Sequence, residues 1–146
     1  MGRDQRRPAV QLDHVVLEVS DVQTSLAFYD RVFGLARVRE REFLAGEAPF
    51  ASVRVNRRTL IDLFPRSMWR GPAPSNPNHV CLTFSATDFR SLLRRLKSAQ
   101  IKIVRTAKHN YGALEYADSI YVQDPGGVVV EARFYPTKSR RRRTRG

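Results

Sequence analysis

Two histidines and two acidic residues recur at matching places along the chain. His14 and His79 lie 65 residues apart, and Asp62 and Glu131 lie 69 apart. Each histidine opens a run rich in β-branched and aliphatic residues: His14-Val15-Val16-Leu17-Glu18-Val19 and His79-Val80-Cys81-Leu82-Thr83-Phe84. Each acid sits in a later run of the same kind, Thr59 to Phe64 and Val128 to Tyr135. Two imidazoles with two carboxylates suit a borderline divalent cation of the Mn, Fe, Co, Ni or Zn kind, with positions left for oxygen ligands. Taken singly, each residue has an ordinary reading. A strand histidine is commonly a hydrogen-bonded structural residue, Glu131 can pair with Arg133, and Asp62 can face water. The matched placement of all four argues for the metal.

The elements that must position them repeat as well. The first strand, Leu12 to Val19, precedes a cap at Ser20 or Asp21. Val22, Leu26, Tyr29 and Phe33 then fall at helical spacing, and Gly34 ends the helix. Strands are expected at Leu35 to Arg41, Phe50 to Asn56 and Thr59 to Phe64. The second half opens with a strand at Asn78 to Phe84. Thr87 or Asp88 can cap a helix carrying Phe89, Leu92, Leu93 and Leu96. Strands at Lys102 to Arg105, Asp118 to Gln123 and Val128 to Tyr135 follow, the last after the turn Asp124-Pro125-Gly126-Gly127. The whole reads as an α+β chain of paired βαβββ modules, residues 11–65 and 78–136, joined by a Pro-rich linker at 66–77. Alternation along each strand puts His14, Asp62, His79 and Glu131 on a mixed polar and apolar face, opposite the face that one helix per module must cover. A curved sheet would make that mixed face a ligand cavity.

The 146 residues fit one domain at 11–136 and exclude two independently cored ones. Of the net charge of +12, six positive charges lie in residues 137–146, and Arg3, Arg6 and Arg7 stand against Asp4 in residues 1–10. The body is nearly balanced, so the high pI does not make the whole domain a nucleic-acid binder. The run Arg140 to Arg143 suits either nonspecific nucleic-acid contact or a solvated, disordered tail. The single cysteine, Cys81, forbids an intramolecular disulfide. With a charged start and no apolar run near 20 residues, a cytoplasmic protein without a membrane span is expected.

The segments LDHVVLEVSDVQTSLAFYDRVFGL, NHVCLTF and SIYVQDPGGVVVEARFY resemble the vicinal oxygen chelate superfamily over about residues 11–135. That superfamily includes glyoxalase I, extradiol dioxygenases, fosfomycin-resistance thiol transferases and bleomycin-resistance proteins. The resemblance implies βαβββ modules paired into an incomplete barrel around a divalent metal ion (Zn, Ni, Mn or Fe). It places ligands at His14, His79 and Glu131. Asp62 matches a fourth ligand that is usually Glu in glyoxalase-like members, and aspartate reaches one methylene less far. It also implies a homodimer, in which some relatives share each metal site between chains.

The activity so implied is a glyoxalase-like lyase or isomerase that chelates adjacent oxygens of a small substrate and stabilises the negative charge formed there. A carboxylate, Glu131 first and Asp62 second, would move the proton. An Fe(II) extradiol-type dioxygenase or a thiol transferase would leave Asp62 a bystander. A metal-free, bleomycin-resistance-like binding protein is the rival from another class, with Trp69 and the linker as groove walls. Tyr121 resembles a substrate-contacting tyrosine of the thiol transferases and reads equally as an edge-strand packing aromatic. Lys108 and His109, in the polar loop Thr106 to Tyr116, are candidates for an oxyanion partner and an acid/base. Arg133 suits a substrate carboxylate or a salt bridge to Glu131, and Cys81 suits a soft ligand or a small buried hydrophobe.

Overall fold

The computed structural model describes residues 9–136. The expected basic tail at 137–146, and residues 1–8 of the N-terminal one, lie outside the described residues. The chain divides into two compact units, one up to Asn76 and one from Pro77 on.

The first unit contains β1 (His14–Glu18), α1 (Val22–Phe33), β2 (Ala36–Val38), α2 (Glu40–Leu44), β3 (Ala51–Asn56) and β4 (Thr59–Phe64). Its open sheet has the order β1-β4-β3-β2, with β1 parallel to β4 and the other pairs antiparallel. The second unit contains β5 (Val80–Thr83), α3 (Ala86–Ser98), β6 (Arg105–Asn110), β7 (Ala117–Gln123) and β8 (Val129–Arg133). Its order is β5-β8-β7-β6, again with a parallel first pair. Each unit is thus a βαβββ module, and the repeat expected from the sequence is present as topology.

Side-chain alternation explains the layers. Leu17, Val53, Ile61 and Leu63 are fully or nearly fully buried in the first sheet, where α1 buries Val22, Leu26, Tyr29 and Phe33. Asp21 starts α1: its carboxylate accepts the Thr24 N–H at 2.8 Å. Gly34 ends it at φ 71°, a backbone state that suits a residue without Cβ. In the second unit Leu82, Val122, Val130 and Ala132 are buried in the sheet, and α3 buries Phe89, Leu92 and Leu96. Ser85, rather than Thr87 or Asp88, caps α3. Its hydroxyl accepts the Asp88 N–H at 3.1 Å, and Thr87 and Asp88 fall inside the first turn.

Two regions depart from the sequence expectation. The strand expected at Leu35 to Arg41 stops at Val38. Arg39 turns left-handed (φ 62°), and the good helix formers from Glu40 to Leu44 make the short α2, which buries none of its residues. The strand expected at Lys102 to Arg105 begins only at Arg105, and the loop expected from Thr106 is strand β6 as far as Asn110, so Lys108 and His109 are strand residues. Both cases escape periodicity for one reason: the segment is polar and buries little, so no apolar face marks its type. Among the described residues, no helix is long and apolar enough to cross a membrane.

Candidate metal centre

The sheet register gives the two histidines the same relation to the two acids. In the first unit His14 lies opposite Leu60, and Asp62 lies two residues further along β4, opposite Val16. In the second, Val80 pairs with Val130 and Cys81 with Glu131, so Glu131 stands two residues beyond the position opposite His79. His14 Nε2 is 3.9 Å from Asp62 Oδ2, and His79 Nε2 is 3.3 Å from Glu131 Oε2. Among the described residues, no three His, Cys, Asp or Glu gather as a ligand group. What each unit supplies is a pair.

The other ring nitrogen is committed in the same way twice. His14 Nδ1 is 2.7 Å from Asp13 Oδ2, and His79 Nδ1 is 2.7 Å from Asn78 Oδ1. A carboxylate or amide oxygen accepts, so Nδ1 carries the hydrogen and Nε2 is left with a lone pair. That lone pair then faces a carboxylate oxygen. An acceptor facing an acceptor is relieved by a proton or a cation between them, and the arrangement occurs in both units. Two donors each about 2.1 Å from one ion stand about 3.0 Å apart at a right angle and about 3.4 Å apart at the tetrahedral angle. The 3.3 Å of His79 and Glu131 fits neighbouring ligands. The 3.9 Å of His14 and Asp62 is wide for them. The nitrogen and oxygen donors present therefore fit a borderline divalent ion, with Asp62 the least well placed.

The two carboxylates are held differently. Asp62, buried on β4, accepts the Ser52 hydroxyl at 2.6 Å from the neighbouring strand. Glu131, also buried, accepts from Arg133 Nη2 at 2.8 Å. Burial alone would push its carboxyl up. The Arg133 hydrogen bond, with the hydroxyls of Ser119 and Tyr121 beside it, outweighs that and holds it at about 2. Tyr121 stands directly across β7 from Glu131, its ring edge-on to His79 at 5.9 Å. Its strand is interior to the sheet, not an edge, and the residue is buried. Burial and the Glu131 charge raise its phenol. Its oxygen accepts from Asn110 Nδ2 at 3.0 Å. His14 titrates above its ordinary value, through its hydrogen bond to Asp13 first and the charge of Asp62 second.

Other expected site residues lie elsewhere or do something else. Arg133 is 2% exposed. Its Nη2 serves Glu131 and its Nη1 the Asn110 carbonyl at 3.3 Å, so it is a buried partner rather than a substrate contact on an open surface. His109 (φ 53°) stacks on Tyr116 at 4.3 Å and lines a cavity with Phe134, which points to the opposite face of β8 from Glu131. Lys108, its strand neighbour, is exposed. Cys81 is exposed, not a buried hydrophobe. Partial desolvation of its sulfur, with Glu131 next to it, pushes the thiol up to about 11, so it is neither a ready thiolate ligand nor a nucleophile at neutral pH. Sequence reasoning missed Asp13, Asn78 and Ser52. A visible signal existed for the first two: each histidine follows directly on a side chain with an acceptor oxygen.

Gly112 closes the turn over Arg133. A Cβ there would run into Arg133 Nη1 and the Tyr135 hydroxyl. Gly112→Ala should therefore lift residues 111–116 from Arg133 and cost about 1–3 kcal/mol, read as a lower urea midpoint.

Comparison with known proteins agrees with this fold. The model of the Glyoxalase/Bleomycin resistance protein/Dioxygenase superfamily matches residues 11–132. The virulence protein STM3117 of Salmonella typhimurium is 28% identical over 135 residues, 86% of this chain and 84% of that protein. Its crystal structure superposes with a TM-score of 0.67 over 89% of this chain and all of that one. Two more distant structures share the fold. Oxidase ChaP-H2 is 22% identical, with a TM-score of 0.64 over 90% of this chain and 98% of that one. Lactoylglutathione lyase from Agrobacterium tumefaciens is 21% identical, with a TM-score of 0.63 over 88% and 96%. With two βαβββ units, matched His–carboxylate pairs and a family model spanning nearly all of both, this chain belongs to the Glyoxalase/Bleomycin resistance protein/Dioxygenase superfamily.

Proposed function

We propose that the chain is a divalent-metal-dependent enzyme of the lyase or isomerase kind, acting on a small substrate with two adjacent oxygens. The observation that carries this is the repeated facing of Nε2 and a carboxylate oxygen, at His14 with Asp62 and at His79 with Glu131. In this reading His14, His79 and Glu131 would be the residues that hold the ion. A bound ion supplies Lewis-acid stabilisation of negative charge on the substrate oxygens.

The remaining chemistry belongs to the side chains. Glu131 is tied to Arg133 and stays ionised far into acid, which suits a fixed ligand and makes it a weak base. Asp62 is held by one hydroxyl, and its Oδ2 is turned to His14 at a distance wide for a shared ion. Asp62 is therefore the carboxylate that takes the proton α to a carbonyl, the reverse of the order that sequence reading gives. Tyr121, a neutral phenol beside Glu131 and His79, donates to a developing oxyanion or orients the substrate.

The experiment is deuterium wash-in to dihydroxyacetone, followed by NMR with the Zn(II)- or Ni(II)-loaded full chain. Wild type should exchange its α-protons. Asp62→Asn should lose exchange by on the order of 100-fold while keeping metal affinity within about threefold. Loss of the metal in Asp62→Asn would instead make Asp62 a ligand. Full exchange in that variant would remove it from the chemistry.

A further inference from the structure

The two units differ just beyond the carboxylates. Glu18 pairs with Phe64 in the first unit where Thr83 pairs with Arg133 in the second. With Phe64 in place of the arginine, the first unit is apolar at that position of the face. The segment following β4 folds back over it. A 3₁₀ turn at Arg66–Met68 leads to Trp69, whose Nε1 donates to the Phe64 carbonyl at 3.2 Å. Glu18 is the anchor. Its Oε1 accepts the Ser75 N–H at 2.7 Å, its Oε2 accepts the Arg70 N–H at 3.1 Å, and its own N–H donates to Asn76 Oδ1 at 2.8 Å. The Ser75 contact above all lowers the Glu18 pKa, so an ionised, buried carboxylate holds this strap in place.

Between strap and sheet lies a cavity of about 330 Å³, lined by Val16, Glu18, Phe64, Met68, Arg70 and Ser75. That volume suits a small molecule. Val16 and Glu18 follow His14 in steps of two on β1, and Phe64 follows Asp62 by two on β4, so the cavity shares their face. At about 3.3 Å per residue, Glu18 is about 13 Å from His14. The walls Val16, Phe64 and Met68 are apolar. Both Glu18 oxygens are taken by backbone donors. Arg70, 75% exposed, has a different status. Its Nη2 donates to neutral groups, the Ser75 carbonyl at 3.0 Å and hydroxyl at 2.8 Å, and its Nε is 3.9 Å from Glu18, beyond a hydrogen bond. The guanidinium at the rim thus retains donors for an anion.

We infer that this cavity binds a small amphiphilic carboxylic acid, its apolar body against Val16, Phe64 and Met68 and its carboxylate on Arg70. This deepens the proposed function by giving the substrate class, and it rests on that reading for the claim that the far end of the molecule reaches His14. The binding step does not depend on metal, which separates failure of the two.

Trp69 is the single tryptophan and adjoins both Met68 and Arg70, so its fluorescence reports on the cavity. The metal-stripped full chain is titrated with 3-phenylpropanoate and with its neutral isostere 3-phenylpropanamide. The acid should give a saturable response with at least about tenfold tighter binding than the amide. Arg70→Gln keeps the backbone N–H that Glu18 accepts, so it should abolish the preference with the unfolding midpoint unchanged. Arg70→Lys should keep most of it. Equal binding of acid and amide, a preference surviving in Arg70→Gln, or no saturable response to either probe overturns the inference.

Discussion

Replacing Glu131 by alanine should lower both the stability of the chain and its hold on a divalent cation. The stability loss has two sources. Arg133, 2% exposed, would keep a buried positive charge with no carboxylate beside it. The favourable shift of the Glu131 carboxyl, from 4.5 to about 2, would also vanish. After allowance for screening, about 2–3 kcal/mol is expected at neutral pH, measured by urea unfolding of the metal-stripped protein. Because the folded pKa is depressed, this contribution is present above about 4.5. It fades as pH falls from there towards about 2. Glu131→Gln, which keeps the shape but not the charge, should flatten the stability curve across that window. An unfolding midpoint indifferent to the substitution would mean that the Arg133–Glu131 contact is not a working ion pair.

The second large effect concerns His79 and His14. His79→Ala should weaken Zn(II) binding by on the order of 100-fold or more in a calorimetric titration, with little change in stability, since the ring is half-exposed. Removing the group behind a ligand should act more mildly. Asp13→Ala should cost about 10–100-fold in affinity by freeing the His14 tautomer. Asp13→Asn keeps an acceptor for Nδ1 and loses its negative charge. His14 titrates above its ordinary value chiefly because of Asp13, and a proton on Nε2 competes with the ion. Metal binding should therefore weaken as pH falls through that raised value. In Asp13→Asn the weakening should begin at lower pH. An unchanged pH profile would remove Asp13 from the site.

The architecture is legible in the sequence because the site-bearing strands give one face to apolar residues. Leu17, Ile61, Leu82, Val130 and Ala132 mark that apolar face, so the opposite one, and with it His14, Asp62, His79 and Glu131, can be read by counting in twos. The repeat spacing did the rest, since strand register places both acids two residues beyond their histidines. What alternation cannot carry is lateral pairing. That Ser52 lies across from Asp62, and Tyr121 across from Glu131, depends on which antiparallel strand comes next and in what register. The strap over Glu18 reads as linker in the sequence, because prolines and glycines announce a turn and not the carboxylate to which its N–H groups return. His109 shows the opposite failure. Its residue type invited a catalytic role, but a bulged edge strand turns it onto Tyr116.

The proposed chemistry requires an ion bound to Nε2 of both His14 and His79. The most direct measurement is the ring-nitrogen NMR spectrum of the three histidines in the metal-stripped full chain, followed during titration with Zn(II). Before metal, His14 and His79 should both hold their hydrogen on Nδ1. On titration their Nε2 signals should shift together and be complete at one Zn(II) per chain, while His109 stays in place. If either ring carries its hydrogen on Nε2 beforehand, or only one of the two responds to the metal, the two histidines do not serve one ion.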